Sequence, residues 1–555
     1  MTHPLFERHR ATLEGALSAI QTRGFWSAYP EQPSPKNYGE TAQADGRAAA
    51  LAHAGQHFEL NQPGQTGWVA SEHSPYGVPL GVHYPMCEAQ ELIDAAVAAM
   101  PAWQGLGPEG RIGVLLEALA RINRASFEIA HAVMLTTGQG WMMAFQAGGP
   151  HAQDRALEAL AYAWREMSFV PASTRWEKPQ GKNPPIVMEK RYEIIGRGVG
   201  LVIGCGTFPT WNTYPGLFAA LATGNPVIVK PHPNAILPAA ISVRIVRAVL
   251  KDNGLDPNVV TLAVTDDPKV TQALATNPAV KSIDFTGSNA FGRWLIDHAR
   301  QAQVYAELAG VNNVVIESTD GYRSMLKNLA FTLSLYSGQM CTTTQDIFVP
   351  AGGIETDEGH KSFDEVASDL GTAVDKFLAD PAVATAVLGA IQSPDTLKRV
   401  DEAPALADVV LASRRIDHPE FPAATVRSPV LLKVGADKEA AYMQERFGPI
   451  SFVVKVPDWK AAVAQSERAV REHGALTVGL YSTRQEVIDA MTAATQRVGV
   501  SLSINLTGNV YVNQSAAFSD YHATGANPAA NASYTDSAFV ANRFRVVQRR
   551  WHAAS

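Results

Sequence analysis

The 555-residue sequence is poor in cysteine and contains no long apolar run. Its three cysteines, Cys87, Cys205 and Cys341, are too few and too odd in number for a disulfide framework, which favours a reducing cytoplasm. No apolar stretch approaches the roughly 20 residues that a membrane-spanning helix needs. The first residues carry scattered charges and lack the uninterrupted apolar core of a signal peptide. We therefore expect a soluble, cytoplasmic protein.

The sequence also lacks a strong excess of charge of either sign. Its 46 Lys and Arg residues against 53 Asp and Glu residues give a formal net charge of −7, which argues against nucleic acid as a partner. No internal repeat or low-complexity segment is present. A chain of this length buries several cores, so we expect two to four domains and, by default, an enzyme. We predict no metal site and no membrane partner.

Two alternations of strand-like and helical patterns predict two α/β units. Apolar residues recur at three- and four-residue spacing in 89–134, which predicts amphipathic helices, whereas 169–190 is rich in Pro, Lys and Gly and is interpreted as an exposed connection. The first alternation contains short β-branched runs at 198–206, 225–231, 258–265 and 282–288, separated by helical segments. A second alternation of strands and helices spans 312–482. Apolar strands that alternate with helices indicate parallel, doubly wound sheets covered on both faces.

The stretch YSGQMCTTT, residues 336–344, contains Cys341. A helix is predicted over 324–337, Gly338 permits a sharp turn after it, and three threonines follow the cysteine. A nucleophilic cysteine needs nearby groups that stabilise its thiolate, whereas a packing cysteine needs apolar neighbours. This stretch alone leaves both interpretations of Cys341 open.

Two motifs upstream have an ordinary structural interpretation beside a functional one. In ELAG, Glu307 is either a surface or capping carboxylate or a general base whose pKa is raised by an apolar setting. FTGSNAFG is either a plain strand–turn–helix or a turn whose helix amino terminus holds a phosphate. Its candidate contacts are Thr286, Gly287, Ser288 and Gly292.

Two further motifs are equally ambiguous when each is taken alone. Lys230 ends the strand-like run VIVK, at the edge where parallel α/β sheets bind ligands, yet a terminal lysine is usually solvated. In ERFGP, Glu445 and Phe447 form either a plain turn or a clamp on a ribose and a planar ring.

Taken together and in this order, FTGSNAFG, ELAG, GQMC and ERFGP resemble the four signature blocks of the aldehyde dehydrogenase superfamily. The 34-residue separation of Glu307 and Cys341 also resembles the family's spacing, and the resemblance runs from about residue 89 to the end of the chain. Within the superfamily, 208–235 and the tail from residue 516 most resemble the PaaN-type branch, which is associated with phenylacetate and benzoate ring-cleavage pathways.

The resemblance implies an α/β fold with two doubly wound domains, one nucleotide-binding and one catalytic, and a small β oligomerisation arm. The predicted division is 1–181 for the helical amino-terminal part, 182–198 for the arm hairpin, 199–309 for the Rossmann-like nucleotide-binding domain, 310–504 for the catalytic domain and 505–555 for a returning carboxyl-terminal segment. A homodimer or homotetramer is expected. The arginines near the end are interpreted as ion-pair partners at a subunit interface: Arg543, Arg545, Arg549 and Arg550.

The resemblance also implies roles for the candidate residues. Cys341 attacks an aldehyde carbonyl to give a thiohemiacetal, hydride passes to a nicotinamide, and Glu307 activates the water that releases the acid from the thioester. Asn212 and the backbone N–H of Cys341 stabilise the oxyanion. Cofactor contacts are expected at Lys230, Thr286, Gly287, Ser288, Gly292, Glu445 and Phe447.

One departure from the family pattern affects the cofactor. Most members continue the lysine block with a glutamate that binds the adenosine ribose, and this chain has Pro233 at that position. Without a carboxylate to repel a 2′-phosphate, and with Lys230 and His232 nearby, NADP or NAD is expected, with NADP slightly favoured.

A second departure affects the reaction. Only 18 positions separate Asn212 from Lys230, and PTWN and KPHPNA partly resemble the CoA-acylating branch, in which CoA instead of water attacks the thioester. The presence of Glu307 favours hydrolysis. The expected substrate is a semialdehyde from aromatic ring cleavage, free or CoA-linked. A non-catalytic binding or scaffold protein is the remaining alternative, and it predicts the loss of Cys341 or Glu307.

Overall fold

The computed structural model describes residues 3–511, 516–534 and 536–553. The first part of the chain is mainly helical, as the spacing of its apolar residues predicts. Among the described residues, no helix combines the length and apolar character needed to cross a membrane. The elements of this part are α1 (Pro4–Arg8), α2 (Arg10–Thr22), α3 (Pro35–Tyr38), α4 (Ala42–Leu51), β1 (Gln65–Val69), β2 (Tyr84–Cys87), α5 (Ala89–Gly105), α6 (Gly107–Arg124), α7 (Ser126–Thr137), α8 (Trp141–Gly148) and α9 (Pro150–Ser168).

A long antiparallel hairpin follows, formed by β3 (Ser173–Gln180) and β4 (Asn183–Gly196). The segment 169–190, interpreted as an exposed connection, is exposed over most of β3 but forms strands, and the hairpin begins at Ser173 instead of residue 182. The strand β3 is exposed along most of its length, so its sequence carries no apolar alternation that would have identified it.

The first α/β unit is a five-stranded parallel sheet with strand order β7-β6-β5-β8-β9. Its β-branched strands are buried, as expected for a parallel sheet with helices on both faces. Its elements are β5 (Val199–Ile203), α10 (Pro209–Ala222), β6 (Val227–Lys230), α11 (Leu237–Asp252), β7 (Val260–Leu262), α12 (Pro268–Thr276), β8 (Val280–Gly287), α13 (Asn289–His298) and β9 (Gln303–Leu308).

The second unit is a seven-stranded sheet with order β15-β18-β19-β12-β10-β20-β21, parallel except for the edge pair β15 and β18. The predicted fold class, two doubly wound α/β units, is confirmed. The elements are β10 (Asn313–Ile316), β11 (Ser318–Thr319), α14 (Tyr322–Ser334), β12 (Asp346–Pro350), β13 (Ile354–Thr356), β14 (Gly359–Lys361), α15 (Phe363–Phe377), α16 (Pro381–Val387), α17 (Pro394–Glu402), β15 (Asp408–Leu411), β16 (Arg415–Ile416), β17 (Val426–Arg427), β18 (Val430–Gly435), α18 (Glu439–Tyr442), β19 (Ile450–Val456), α19 (Trp459–His473), β20 (Thr477–Tyr481), α20 (Gln485–Val498) and β21 (Ser501–Ile504).

The carboxyl-terminal segment returns across the first unit and ends in α21 (Ser537–Ala541) and β22 (Phe544–His552). The strand β22 pairs with β4, which completes a three-stranded antiparallel arm of order β22-β4-β3. Arg543, predicted at a subunit interface, is instead buried, and its guanidinium forms hydrogen bonds of 2.8 and 2.5 Å with the Asp284 carboxylate. The interface interpretation is therefore wrong for Arg543, because its guanidinium is paired with a carboxylate inside the fold, which compensates the burial of its charge.

Candidate active site

A cavity of about 610 Å³ opens at the carboxyl ends of the parallel strands of the first unit, facing the second unit. Ligand sites of open parallel α/β sheets lie at this edge. Nine residues singled out in the sequence line it: Asn212, Lys230, Thr286, Gly287, Ser288, Glu307, Cys341, Glu445 and Phe447. The fold therefore brings together motifs that are scattered over more than 230 positions of the chain.

Gly292 is the exception among the predicted cofactor contacts. It lies on α13, and a Cβ atom at this position would overlap the side chain of Leu308 and crowd Phe285. Gly292 therefore permits close packing of α13 on the sheet and does not line the cavity.

The turn that presents Cys341 is held in an unusual backbone conformation. The helix α14 ends at Ser334, earlier than predicted, because Tyr336 and Ser337 adopt φ values of 52° and 49°. Gly338 follows with φ of 62°, and a Cβ atom there would overlap the carbonyl oxygen of Gly448. The left-handed conformations of Tyr336 and Ser337 cost free energy, whereas Gly338 adopts one readily, and such strain concentrates at functional sites.

Side-chain hydrogen bonds fix this turn on both sides. The Tyr336 hydroxyl donates to the carbonyl of Thr137 at 2.6 Å, and the Ser337 hydroxyl donates to the carbonyl of Gly389 at 3.0 Å. The Asn312 amide donates to the carbonyl of Cys341 at 2.8 Å. These bonds fix the turn that presents the thiol to the cavity, which favours the reactive interpretation of Cys341.

Cys341, Glu307 and Asn212 meet at one end of the cavity. The Cys341 thiol donates to Oε1 of Glu307 at 3.2 Å, and the Asn212 amide Nδ2 lies 3.4 Å from Oε2. The Cys205 thiol donates to Oδ1 of Asn212 at 3.3 Å. Glu307 is 1% exposed, because it lies near the end of β9 beneath the carboxyl-terminal segment. The arrangement pairs a candidate nucleophile with a candidate base in a site that excludes most water.

The protonation states of this pair follow from burial and from the charges around it. Burial, together with the adjacent Glu307 carboxylate, raises the pKa of Cys341 well above its ordinary value, so the resting group is a thiol. Burial alone would also raise the pKa of Glu307. This pKa is nevertheless lowered below its ordinary value by the charge and hydrogen bond of His522, by the hydrogen bond from Cys341 and by the charge of Arg155. The raised pKa predicted for Glu307 is therefore wrong, because the sequence did not reveal the cationic partners.

His522 is the residue of this centre that the sequence patterns did not identify. Its Nε2 lies 3.3 Å from Oε1 of Glu307, and a ring nitrogen of His522, a carboxylate oxygen of Glu307 and Sγ of Cys341 all lie within 4.8 Å of one another. A lone histidine in a Ser-, Asp- and Gly-containing tail carries no local signal, and 215 positions separate it from Glu307. Only the tertiary structure identifies it.

The cavity is also lined by Lys230, His232 and Asp266. Burial lowers the pKa of Lys230 to about 8, although the charge of Asp266 opposes the shift. Burial and the charge of Lys230 lower the pKa of His232 to about 4, so this ring is neutral near pH 7. The expectation that His232 helps to attract a 2′-phosphate is therefore not supported. Asp266 lies four positions after the end of β7, and this position beyond a strand end could have been considered in the sequence, as that of Lys230 was.

Glu445 and Phe447 form the wall contributed by the second unit. Burial raises the pKa of Glu445 to about 7, against the opposing charge of Arg399. Arg399 Nε donates to the carbonyl of Phe447 at 3.1 Å and so fixes the turn. A half-buried carboxyl beside an aromatic ring suits a hydroxyl-rich ligand that also carries a planar group.

A comparison with known proteins agrees with this geometry. The profile of the aldehyde dehydrogenase family matches residues 84–538. A crystal structure described as an NAD-dependent aldehyde dehydrogenase from Burkholderia multivorans is 58% identical, covers 100% of both chains and superposes with a TM-score of 0.99. A vanillin dehydrogenase of Pseudomonas fluorescens is 26% identical over 66% of this chain and 72% of its own.

A further relative matches over a smaller part of the chain. A 1-pyrroline-5-carboxylate dehydrogenase of Bacillus subtilis is 26% identical over 46% of this chain, and the match spans about half of that relative, 48% of its length. The family profile covers most of the chain and includes both α/β units and the cavity between them. The protein therefore belongs to the aldehyde dehydrogenase family.

Proposed function

We propose that the protein oxidises an aldehyde to a carboxylic acid with NAD as cofactor. The hydrogen-bonded pair of Cys341 and Glu307, 3.2 Å apart at the end of a cavity that contains Lys230, is the observation that carries this proposal. The chemistry needs a nucleophile, a base that can act on both thiol and water, and a separate compartment for the cofactor. The description of the 58% identical relative as NAD-dependent supports the choice of cofactor.

The first step uses the thiol at rest. Because the pKa of Cys341 is raised, its proton passes to Oε1 of Glu307 as the sulfur bonds the carbonyl carbon and the carbonyl electron pair moves to oxygen. We assign the stabilisation of this oxygen to the Asn212 amide and the backbone N–H of Cys341. Removing one such donor typically slows catalysis by about 10²–10³-fold. Asn212 lies within reach of the same centre, 3.4 Å from Glu307.

The cavity residues fit a dinucleotide. Lys230 is a buried cation facing the cavity, Ser288 caps the ten-residue helix α13 whose free N–H groups suit a phosphate, and Glu445 and Phe447 suit a ribose and a ring. Thr286 and Gly287 line the approach to this helix. A bound nicotinamide dinucleotide would accept the hydride that leaves the thiohemiacetal carbon. Cys341 then carries the acyl group as a thioester.

Glu307 completes the reaction by acting a second time. After the proton taken from the thiol has left Glu307 for solvent, the carboxylate takes a proton from water while the water oxygen bonds the thioester carbon. The C–S bond then breaks, and Glu307 returns this proton to the departing sulfur, which restores the Cys341 thiol. Release of the acid by this step needs no CoA. Glu307 lies within hydrogen-bonding distance of the sulfur, which supports its action at an acyl group attached there.

We propose a semialdehyde from aromatic ring cleavage, free or CoA-linked, as the substrate class. The resemblance of 208–235 and of the tail to the PaaN-type branch supports it, as does the similarity to a protein described as a vanillin dehydrogenase. Two aromatic side chains lie near the nucleophile: Phe208 lines the same cavity as Cys341, and the Tyr511 hydroxyl donates to the carbonyl of Thr342 at 2.9 Å. They suit an unsaturated substrate.

We also propose a homodimer or homotetramer assembled through the arm. The arm exposes Val546, Val547 and Trp551, and these apolar side chains support burial against another subunit. The three cysteines are unpaired in the structure, which supports a cytoplasmic location.

An assay of the purified protein tests the proposed reaction. NAD and NADP are each supplied with a panel of aldehydes that includes CoA-linked semialdehydes, with and without free CoA. We expect reduced NAD and free acid in the absence of CoA. An absolute requirement for CoA, with acyl-CoA as the product, would contradict hydrolysis and favour the acylating reaction. No turnover with any aldehyde would favour a binding protein.

The replacement of Asp266 by alanine is expected to shift cofactor preference towards NADP. The carboxylates of Asp266 and Asp267 line the cavity beside Lys230, so a 2′-phosphate would meet negative charge where the sequence indicated none. Near a protein surface one repulsive pair costs on the order of 1–4 kcal/mol, so the ratio of kcat/KM for NADP over NAD is expected to rise about tenfold.

Asp267→Asn is the matched control for this prediction. Asp267 caps α12 by accepting from the backbone N–H of Lys269 at 2.8 Å, and asparagine keeps such a cap while removing a neighbouring charge. We expect a smaller change than in Asp266→Ala. Equal changes in both variants would mean that total charge, and not the position of Asp266, selects the cofactor.

A further inference from the structure

The catalytic carboxylate has a third neighbour that the reaction described above does not use. Oε1 of Glu307 is shared between the Cys341 thiol at 3.2 Å and Nε2 of His522 at 3.3 Å, while Oε2 faces Asn212. His522 is 7% exposed, so its interaction with Glu307 is shielded from solvent. In such a setting a charged hydrogen bond is stronger than at the surface.

The ring of His522 is held in place by aromatic neighbours. Trp211 meets it edge-on with ring centroids 6.0 Å apart, and the Tyr534 ring lies nearly parallel to it at 6.4 Å. These contacts orient Nε2 towards Glu307.

The segment that carries His522 is also attached to the strand that carries Glu307. The backbone N–H of Leu308 donates to the carbonyl of Ala529 at 2.5 Å, and that of Asn531 donates to the carbonyl of Ala306 at 2.9 Å. These two bonds flank Glu307 on β9, so the imidazole and the carboxylate belong to one hydrogen-bonded unit.

Glu307 must be ionised twice in each turnover, once to take the thiol proton and once to take a proton from water. A carboxylate with so little solvent around it needs a positive partner to stay ionised, because water cannot stabilise its charge. The imidazole occupies the position of such a partner, and it lies within 4.8 Å of the sulfur that becomes anionic when its proton leaves.

We propose that His522 is a positioning residue for the general base, which fixes Oε1 of Glu307 against Cys341 and supplies the positive partner of the carboxylate. This assignment rests on the roles proposed above for Cys341 and Glu307. It adds no bond-making step of its own: the proton still moves from sulfur, and later from water, to Glu307.

The pH dependence distinguishes this role from simple packing. The other titratable or charged groups that face Glu307 are Cys341, Cys205, Tyr534 and Arg155. Burial is already the largest influence on the pKa of Glu307, and removal of His522 takes away the two largest influences that oppose it, so this pKa is expected to rise. Because the reaction needs the ionised carboxylate, the acid limb of the kcat profile moves to higher pH, and activity is lost first under mildly acidic conditions.

Two substitutions separate geometry from charge. His522→Gln keeps an N–H donor for Oε1 and removes the charge, so we expect near-normal kcat at alkaline pH with a shifted acid limb. His522→Phe keeps a ring between Trp211 and Tyr534 and removes both functions, so we expect a loss of about tenfold or more in kcat at every pH. Tyr521→Phe, one position earlier and 50% exposed, removes only a hydroxyl and is the control.

The measurements are the pH profiles of NAD-linked oxidation and of cofactor-independent hydrolysis of an activated ester, with thermal unfolding of each variant. The ester reaction uses the same sulfur and base without the dinucleotide. If the acid limb of the pH profile does not move in His522→Gln, the proposal is overturned, whatever the rate of this variant. If His522→Phe does not fold, the pH profile of His522→Gln alone tests the proposal. Loss of wild-type activity on treatment with EDTA would also overturn it, because the same three groups would then be metal ligands. A wild-type protein without activity would instead refute the proposed function.

Discussion

Replacing Cys341 by alanine is expected to abolish aldehyde oxidation, with a fall in kcat of about 10⁴-fold or more, because no other group can form the thioester. Cys205 lies nearby, but its thiol is occupied with the Oδ1 atom of Asn212, and burial raises its pKa to about 11. Formation of reduced cofactor is the measurement, and cofactor binding followed by fluorescence is expected to persist.

Cys87→Ala is the control for this substitution. Cys87 is another buried cysteine, and it lies on β2 away from the cavity, where its sulfur accepts from the Gln62 amide at 3.2 Å. We expect this variant to retain wild-type turnover. Appreciable steady-state production of reduced cofactor by Cys341→Ala would exclude the proposed nucleophile.

Replacing Glu307 by glutamine is expected to stop the reaction after the acyl group reaches Cys341. The amide cannot take a proton from water, so hydrolysis slows by about 10²–10⁴-fold, the usual contribution of a general base. The thiol is affected in the opposite direction. The carboxylate is the second cause, after burial, of the raised pKa of Cys341, and its loss lowers that pKa and makes the sulfur easier to ionise.

A pre-steady-state assay separates these two effects. We expect a burst of about one equivalent of reduced cofactor per active site, followed by a slow phase, and an acyl adduct on the intact protein in mass spectrometry. Glu317→Gln is the matched control, since Glu317 follows β10 and bonds Ser482 outside the cavity. An unchanged steady-state rate in Glu307→Gln would refute the base. A missing burst with normal folding would show that acylation needs the carboxylate, which contradicts the expected stop after the acyl group reaches Cys341.

The parts of the site that could be predicted lie next to regular strands. Lys230, Ser288 and Glu307 each lie at or near the end of a strand, and the ends of parallel strands meet at one edge of a sheet. Their convergence therefore follows from the strand–helix alternation. The same rule applies to Asp266, which follows β7, but the sequence interpretation did not use it.

The parts that could not be predicted depend on contacts between distant segments. The helix before Cys341 ends three residues early because Tyr336 and Ser337 adopt left-handed conformations, which neither residue type favours. The strand β3 escaped notice because an arm exposed on both faces needs no apolar alternation. His522 approaches Glu307 only because the carboxyl-terminal segment pairs with β9, and this contact has no local signature.

The carboxyl-terminal segment that carries His522 is synthesised long after the strand that carries Glu307. The base and its histidine are 215 positions apart, and ribosomes add about 5–20 residues per second, so Glu307 precedes His522 by about 10 to 40 seconds. The cysteine is also made early, and both sheets can be complete before the imidazole is translated. A nascent chain therefore contains the thiol and the carboxylate without the partner that keeps the carboxylate ionised. The full catalytic centre forms only when the last part of the chain has folded back across β9.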